Sequence, residues 1–390
     1  MAGTSYPFST IAKLAHEFGE TWSSYEKTAV ATQNAELTLV EALNAEPDSD
    51  RLLNPGCSLV LCGSFARYEM VSGSDCDWTL LIDGVVSNQH AKIARVINRT
   101  IEKASKAGKG IKSPGTSGTF GNMCFSHDLV HRIGGGADSN ENLTRRILML
   151  LESRPVTLSA ADSSRDVWNA VVNSILERYF EEDAHFSPSG QRKVPRFLLN
   201  DLTRYWRTIG VDYAAKYLEQ DGKKWAMRNA KLRFSRKLLF AAGMAFCFAC
   251  QLKPPASREQ EMESLFPGWE AAKEDASAPF IASAVAFART PPLEFLAAFV
   301  DTFVSDADKR RAVSQKIFGA YNGWLALLED DEARTTLEKL SHTDAAGDPT
   351  FRKVRDIGSE FASGLKLLFF NRDHDPEDEI ANLSLEYVAF

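Results

Sequence analysis

Two aspartates one residue apart, Asp75 and Asp77 in SGSDCDWTLLIDG, are the side chains here with most to offer a reaction. In an extended strand, residues two apart project to the same face, so their carboxylates stand together while Cys76 and Trp78 turn away. Carboxylates held that close repel each other unless a cation lies between them, and magnesium or manganese is suited to a site of hard oxygen donors. Upstream, Gly63 and Ser64 end the apolar run CSLVLCG and open SFARYEMV. A glycine there lets a triphosphate approach the backbone closely, a helix start offers N–H groups to a phosphate, and the Ser64 hydroxyl adds a donor. Displacement at phosphorus uses such a clamp and usually a third carboxylate from a neighbouring strand. Asp128 in CFSHDLV is the candidate, with Asp138 and Glu141, in loop-like sequence, as alternatives.

Those residues need strands to hold them. The sequence predicts a buried strand over CSLVLCG, one or two helical turns over SFARYEMV, a second strand over DCDWTLLIDG and a third over MCFSHDLVHRI. Residues 8–46 carry helical periodicity, and Asn88 to Ala107 do so again, with Ile93, Val96, Ile97 and Ile101 on one face. From Asn140 the pattern is helical to the C-terminus. The reading is an α+β chain of two domains: residues 1–158 with a mixed sheet, flanking helices and the candidate site, and a mostly helical region over 159–390 that closes an active-site cleft.

Asp-x-Asp alone also occurs in solvated turns, calcium loops and glycosyltransferases. The Gly-Ser at a strand end ahead of it narrows the reading. GSFARYEMVSGSDCDW resembles the signature of the polymerase-β-type nucleotidyltransferase superfamily. With Arg67 and Glu69 it is more similar to the branch containing PII-protein uridylyltransferases and related bacterial proteins. The resemblance implies magnesium dependence, Asp75, Asp77 and Asp128 as metal ligands, and transfer of a nucleoside monophosphate from a nucleoside triphosphate, with pyrophosphate released. Gly63 and Ser64 would hold the triphosphate, and Arg67 would pair with Glu69 to shape the loop and reach the nucleotide. In enzymes of that superfamily a helix beside the catalytic domain often gives a lysine and a serine to the triphosphate, which places Lys231 and Ser235 there. The hydrolytic module of the uridylyltransferases is not expected, because His127-Asp128 falls in the expected strand and His374-Asp375 in a charged turn.

The basic stretch RFLLNDLTRYWRTIGVDYAAKYLEQDGKKWAMRNAKLRFSRKLLF leaves two further readings open. One is a solvated or ion-paired helix face. The other is contact with an RNA backbone through Lys223, Lys224, Arg228 and Arg233, with Trp225 as a stacking surface.

A net charge of −7 argues against a surface built wholly for nucleic acid. The N-terminus reads as an amphipathic helix rather than a signal, no apolar run is long enough to cross a bilayer, and six scattered cysteines suit reduced core thiols, which together point to a cytoplasmic protein. Cys247 and Cys250 fall in an apolar helical run and read as packing rather than metal or redox ligands. The acceptor stays open: a protein side chain, an RNA end, a nucleotide or a small molecule. The rivals are a nucleotide sensor or scaffold without turnover and a metal-dependent phosphohydrolase.

Overall fold

In the computed structural model of the chain, the described residues are 6–47, 49, 52, 54, 56–108, 110–114, 120–159, 164–184, 193–219, 222, 224–255, 258, 278–371 and 378–389. Lys223, His374 and Asp375 lie outside them, as does part of the glycine-rich loop before the third strand. Helices dominate, around one four-stranded mixed sheet, so the chain is α+β. Among the described residues no helix is long and apolar enough to cross a membrane.

The strands are β1 (Cys57–Cys62), β2 (Trp78–Ile82), β3 (Asn122–Phe125) and β4 (Ser153–Pro155), in the order β3-β2-β1-β4. β1 runs antiparallel to both β2 and β4, and β2 runs parallel to β3. Every residue of β1 and β2 is buried, which explains why both read as continuous apolar runs rather than alternating ones. The helices that follow in chain order are α1 (Ser9–Phe18), α2 (Ser24–Asn44), α3 (Asn88–Lys106), α4 (Ser126–Val130), α5 (Asn140–Leu151), α6 (Ser164–Ala184), α7 (Arg196–Glu219), α8 (Trp225–Lys231) and α9 (Lys237–Ala249).

Helix α3 starts where its sequence says it should: Ser87 Oγ accepts from the Gln89 N–H at 3.2 Å, and Ile93, Val96, Ile97 and Ile101 form one buried stripe. That stripe joins Leu39 and Leu43 of α2 and Leu59, Leu61, Trp78, Leu80 and Ile82 of the sheet in one apolar core. Burying an aliphatic side chain of this kind stabilises a fold by roughly 1.5–3 kcal/mol, so this face of the sheet is what fixes the register of β1 against β2.

Two expected elements differ. SFARYEMV makes a single helical-type turn, Arg67 N–H donating to Gly63 O, that does not continue into a helix, since Glu69 N–H donates to Ser64 O instead. The third strand stops at Phe125, and Ser126 begins α4, so Asp128 stands on a helix and not on a strand. β4 was not legible at all, being three residues long.

The chain divides into two compact units, one of Lys27–Glu182 with Ile281–Pro291, the other of Met1–Glu26, Asp183–Phe280 and Pro292–Phe390. A single cut after residue 158 would part α6 from the sheet and leave α1 with it. Yet Trp168 of α6 donates to Ser153 Oγ at 2.8 Å, and Tyr179 accepts from Arg146 Nε at 2.7 Å. In the helical unit the buried Glu294 carboxylate caps α1, accepting from Thr10 N–H at 2.6 Å and Ile11 N–H at 3.2 Å. The cysteines are free and buried, including Cys247 and Cys250, as expected of packing residues.

Candidate active site

The loop between β1 and β2 carries most of the anticipated residues. Its first residue, Gly63, has φ +64, the left-handed region that side chains with a Cβ rarely adopt. The same position is also sterically closed: a Cβ there would lie 2.8 Å from Asp77 Oδ2. Gly63 is therefore required twice, by its backbone and by the carboxylate beside it. A backbone hydrogen bond of 2.8 Å from Cys62 N–H to Asp77 O fixes the approach from the other side.

The second strand was expected over DCDWTLLIDG but begins at Trp78, so Asp75 and Asp77 precede it, and what remains of the expected alternation is one of burial. Asp75 is exposed and Asp77 half-buried, whereas Cys76 and Trp78 are fully buried. Asp75 forms an isolated parallel bridge with Lys112, and Cys76 N–H donates to Lys112 O at 2.8 Å. Lys112 is thus an exposed cation in register with Asp75, a neighbour that the flat composition of GKGIKSPG did not reveal. Burial, with the charges of Asp77 and Asp75 next to it, pushes the Cys76 thiol well above its usual range. Burial with Glu152 and Asp77 does the same for Cys62, which disfavours the thiolate at both positions.

Arg67 and Glu69 do pair, at 2.8 Å, and the Arg67 guanidinium also binds the Glu152 carboxylate; all three residues are buried. This corrects the expectation that Arg67 reaches a nucleotide, since its guanidinium is committed to two carboxylates under the loop. Next to that triad, Tyr68 holds φ +59, an unusual value for a residue with a side chain. Arg154 secures it: the guanidinium lies 4.4 Å over the Tyr68 ring, donates to Tyr68 Oη at 3.0 Å and to Glu36 Oε2 at 2.6 Å. Glu152 and Arg154 flank Ser153 on β4, so the short edge strand that the sequence hid is what shapes the Gly-Ser loop. Ser64 places its hydroxyl 3.5 Å from Met70 Sδ.

The third carboxylate is not brought to this corner. Among the described residues, no group of three or more His, Cys, Asp or Glu side chains is placed to hold a metal ion. Each candidate instead meets an arginine. Asp128 pairs with Arg132 at 2.7 Å, Glu141 with Arg145 at 2.8 Å, and Asp138 lies buried in a bidentate pair with Arg146 at 2.8 and 3.1 Å. His127 and His131 sit at the ends of α4 with ring centroids 5.1 Å apart.

In the helical unit Lys231 ends α8 and is exposed, whereas Ser235 is 7% exposed and turns inward beside Phe234, which stacks on Trp324 at 4.8 Å. The expected common face for Lys231 and Ser235 is lost where the chain widens into a π-helical turn over Leu232–Arg236. Trp225 packs its ring against His342 and Phe351 at 4.8 and 5.2 Å, so it is not an open stacking surface.

No family model matches the chain, and neither a curated protein nor a solved structure matches it.

Proposed function

We propose that the chain is a metal-dependent nucleotidyltransferase that moves a nucleoside monophosphate from a nucleoside triphosphate to an acceptor hydroxyl. The observation that carries the reading is the corner in which the left-handed Gly63 meets the Asp77 carboxylate, with the exposed Asp75 two residues before it. A glycine turn beside one aspartate, with a second, exposed aspartate two residues away, suits a phosphate chain bound with its counter-ion.

The donor set fits magnesium or manganese with a nucleotide. Magnesium keeps several waters and is bound through one or two carboxylates plus substrate phosphates, which Asp75 and Asp77 would supply without a third protein ligand. When bound, such an ion neutralises triphosphate charge and lowers the pKa of the attacking hydroxyl. The residues of the chain do the rest. Gly63 lets the chain turn tightly beside the Asp77 carboxylate, Ser64 offers a hydroxyl donor, and Lys112, in register with Asp75, adds a positive charge at the same edge. The acceptor oxygen forms a bond to the α-phosphorus as the bond from that phosphorus to the bridging oxygen of pyrophosphate breaks, and the hydroxyl proton is released. Arg67, Glu69, Glu152 and Arg154 position the loop without touching substrate. The acceptor is a protein side chain, an RNA end, a nucleotide or a small molecule.

A second reading, a nucleotide sensor without turnover, draws on a specific observation: Asp128, Asp138 and Glu141 are each paired with an arginine. A labelled assay separates the two. The protein is incubated with each α-labelled nucleoside triphosphate and magnesium or manganese, with and without RNA and protein extract, beside an Asp75→Ala/Asp77→Ala control. Label on an acceptor only with intact aspartates supports transfer. Metal-dependent nucleotide binding with no labelled product supports the sensor, and free monophosphate alone supports a phosphohydrolase.

A further inference from the structure

Two histidines in the sheet-bearing unit stand outside the nucleotide corner. His127 and His131 lie in the segment HDLVH, four residues apart, at the two ends of α4. His131 N–H donates to His127 O at 3.0 Å, so one helical turn spans both residues and stacks their side chains on one face. Their ring centroids stand 5.1 Å apart. Both residues are exposed, and among the described residues neither imidazole takes part in a hydrogen bond or an ion pair. His90 shows the contrast: it is buried, and its Nδ1 accepts from Ser87 N–H at 3.4 Å at the start of α3. Asp128, next to His127 in sequence, is already paired with Arg132.

Histidines at i and i+4 on a helix present two ring nitrogens to one point, the spacing by which helical histidine pairs bind zinc. Zinc holds each nitrogen at about 2.0–2.1 Å, which with roughly 1.1 Å from nitrogen to ring centre and a tetrahedral angle separates the two centroids by about 5.2 Å. The observed separation of 5.1 Å matches. Exposed side chains change rotamer readily, so each ring is free to turn a nitrogen toward the ion while the backbone stays in place. Neutral imidazole suits zinc, nickel and copper, whereas magnesium takes oxygen donors. Two protein ligands leave the other positions on the ion to water.

The pair is also remote from the aspartates. β2 and β3 run parallel, with Thr79 opposite Asn122 and Ile82 opposite Phe125. Asp75 and Asp77 precede the first of these rungs and α4 follows the last, so about 10 Å of strand separates the two ends. Ser126 Oγ, at the start of α4, donates to Asp83 Oδ1 at 2.7 Å, which ties α4 to the far end of β2.

We propose that His127 and His131 form a chelating site on α4 for a divalent transition-metal ion of the zinc, nickel and copper class, separate from the Asp75/Asp77 corner. α4 is five residues long, too short to hold its helix by its own hydrogen bonds, and an ion that joins its two ends cross-links the turn. Binding to the folded chain therefore stabilises it.

The test titrates the full-length, untagged protein with zinc in a weakly coordinating buffer containing excess magnesium, by calorimetry and thermal shift. The expected result is saturable binding that magnesium does not displace and that raises the melting temperature. His127→Ala and His131→Ala each weaken it by about tenfold or more, since losing even an outer-shell partner of a metal-bound imidazole costs about 10–100-fold. Each also removes the zinc-dependent rise in melting temperature. His16→Ala, which deletes an exposed histidine of the helical unit, leaves zinc binding unchanged, as does Asp75→Asn/Asp77→Asn. The proposal is overturned by no saturable zinc binding, by unchanged binding in either the His127 or the His131 variant, or by loss of binding in the aspartate variant.

Discussion

Two groups of carboxylates in the sheet-bearing unit keep different company. Around α4 and α5, Asp128, Asp138 and Glu141 each lie against an arginine one helical turn or a short loop away. At the entrance to β2, Asp75 is exposed with no ion-pair partner among the described residues, and Asp77 Oδ2 lies 2.8 Å from where a Cβ on Gly63 would stand. The first arrangement satisfies charge within the fold. The second leaves at least the Asp75 carboxylate facing solvent. A carboxylate neutralised by arginine is already half of a structural pair, whereas the exposed Asp75 carboxylate is open to a ligand. That contrast, rather than the count of acidic residues, separates candidate chemistry from architecture here.

The contrast is open to direct attack. The largest expected effect is on turnover: Asp77→Asn lowers nucleotidyl transfer by about 10³-fold or more, on the order of 4 kcal/mol of barrier, while Asp128→Asn leaves it within about threefold, below ~1 kcal/mol. Initial rates with labelled nucleotide on both variants decide it, and equal losses would erase the distinction between the two groups.

The next effect is on stability. Arg146→Met removes the bidentate partner of the Asp138 carboxylate and costs roughly 3–5 kcal/mol, measured by denaturant unfolding. Burial alone would push the Arg146 guanidinium down; its hydrogen bonds to Asp138 and Tyr179 hold it up instead. Arg132→Ala, which breaks a pair that is 37% and 39% exposed, costs less than about 1 kcal/mol. A large cost for Arg132→Ala would mean that Asp128 is held for more than a surface pair.

Gly63→Ala sharpens the other side. A Cβ in left-handed backbone next to Asp77 Oδ2 destabilises the fold by about 1–3 kcal/mol. Part of that penalty is relieved in the Gly63→Ala/Asp77→Ala double variant, because the clash with the carboxylate is gone and only the backbone strain remains. Strict additivity in the thermal unfolding of the set would place the whole cost in the backbone.

The smallest effect concerns charge at the rim. Lys103 and Arg99 hold the Glu46 carboxyl below its usual 4.5, chiefly through the Lys103 hydrogen bond. A depressed acid pKa stabilises the fold above the unfolded value and ceases to do so as pH falls through the folded one. Glu46→Gln should therefore cost within about 1 kcal/mol at neutral pH, with the difference from wild type shrinking as pH drops below about 4.5. A difference that persists in acid would assign it to packing rather than to charge.

Much of this was legible in the residues themselves. The apolar runs of β1 and β2, like the stripe of α3, could be read directly, although the strand expected to carry Asp75 and Asp77 begins only at Trp78. What could not be read depends on partners distant in sequence. Nothing near Arg67 announces Glu152, 85 residues away, and nothing near Tyr68 announces Arg154. Asp128 failed for a local reason, since CFSHDLV suits a strand and a helix equally and a short apolar run does not choose between them. The inward turn of Ser235 arose from a π-helical turn that leaves no signature in the hydrophobic pattern.

The most direct test of the central claim, that Asp75 and Asp77 hold a metal-bound nucleotide at the Gly63 corner, is calorimetric titration of the protein with nucleoside triphosphate in magnesium and in EDTA, beside Asp75→Asn/Asp77→Asn. The account predicts saturable binding that magnesium strengthens in the wild type, with no such strengthening in the variant. Identical magnesium-dependent affinity in the two proteins would contradict it.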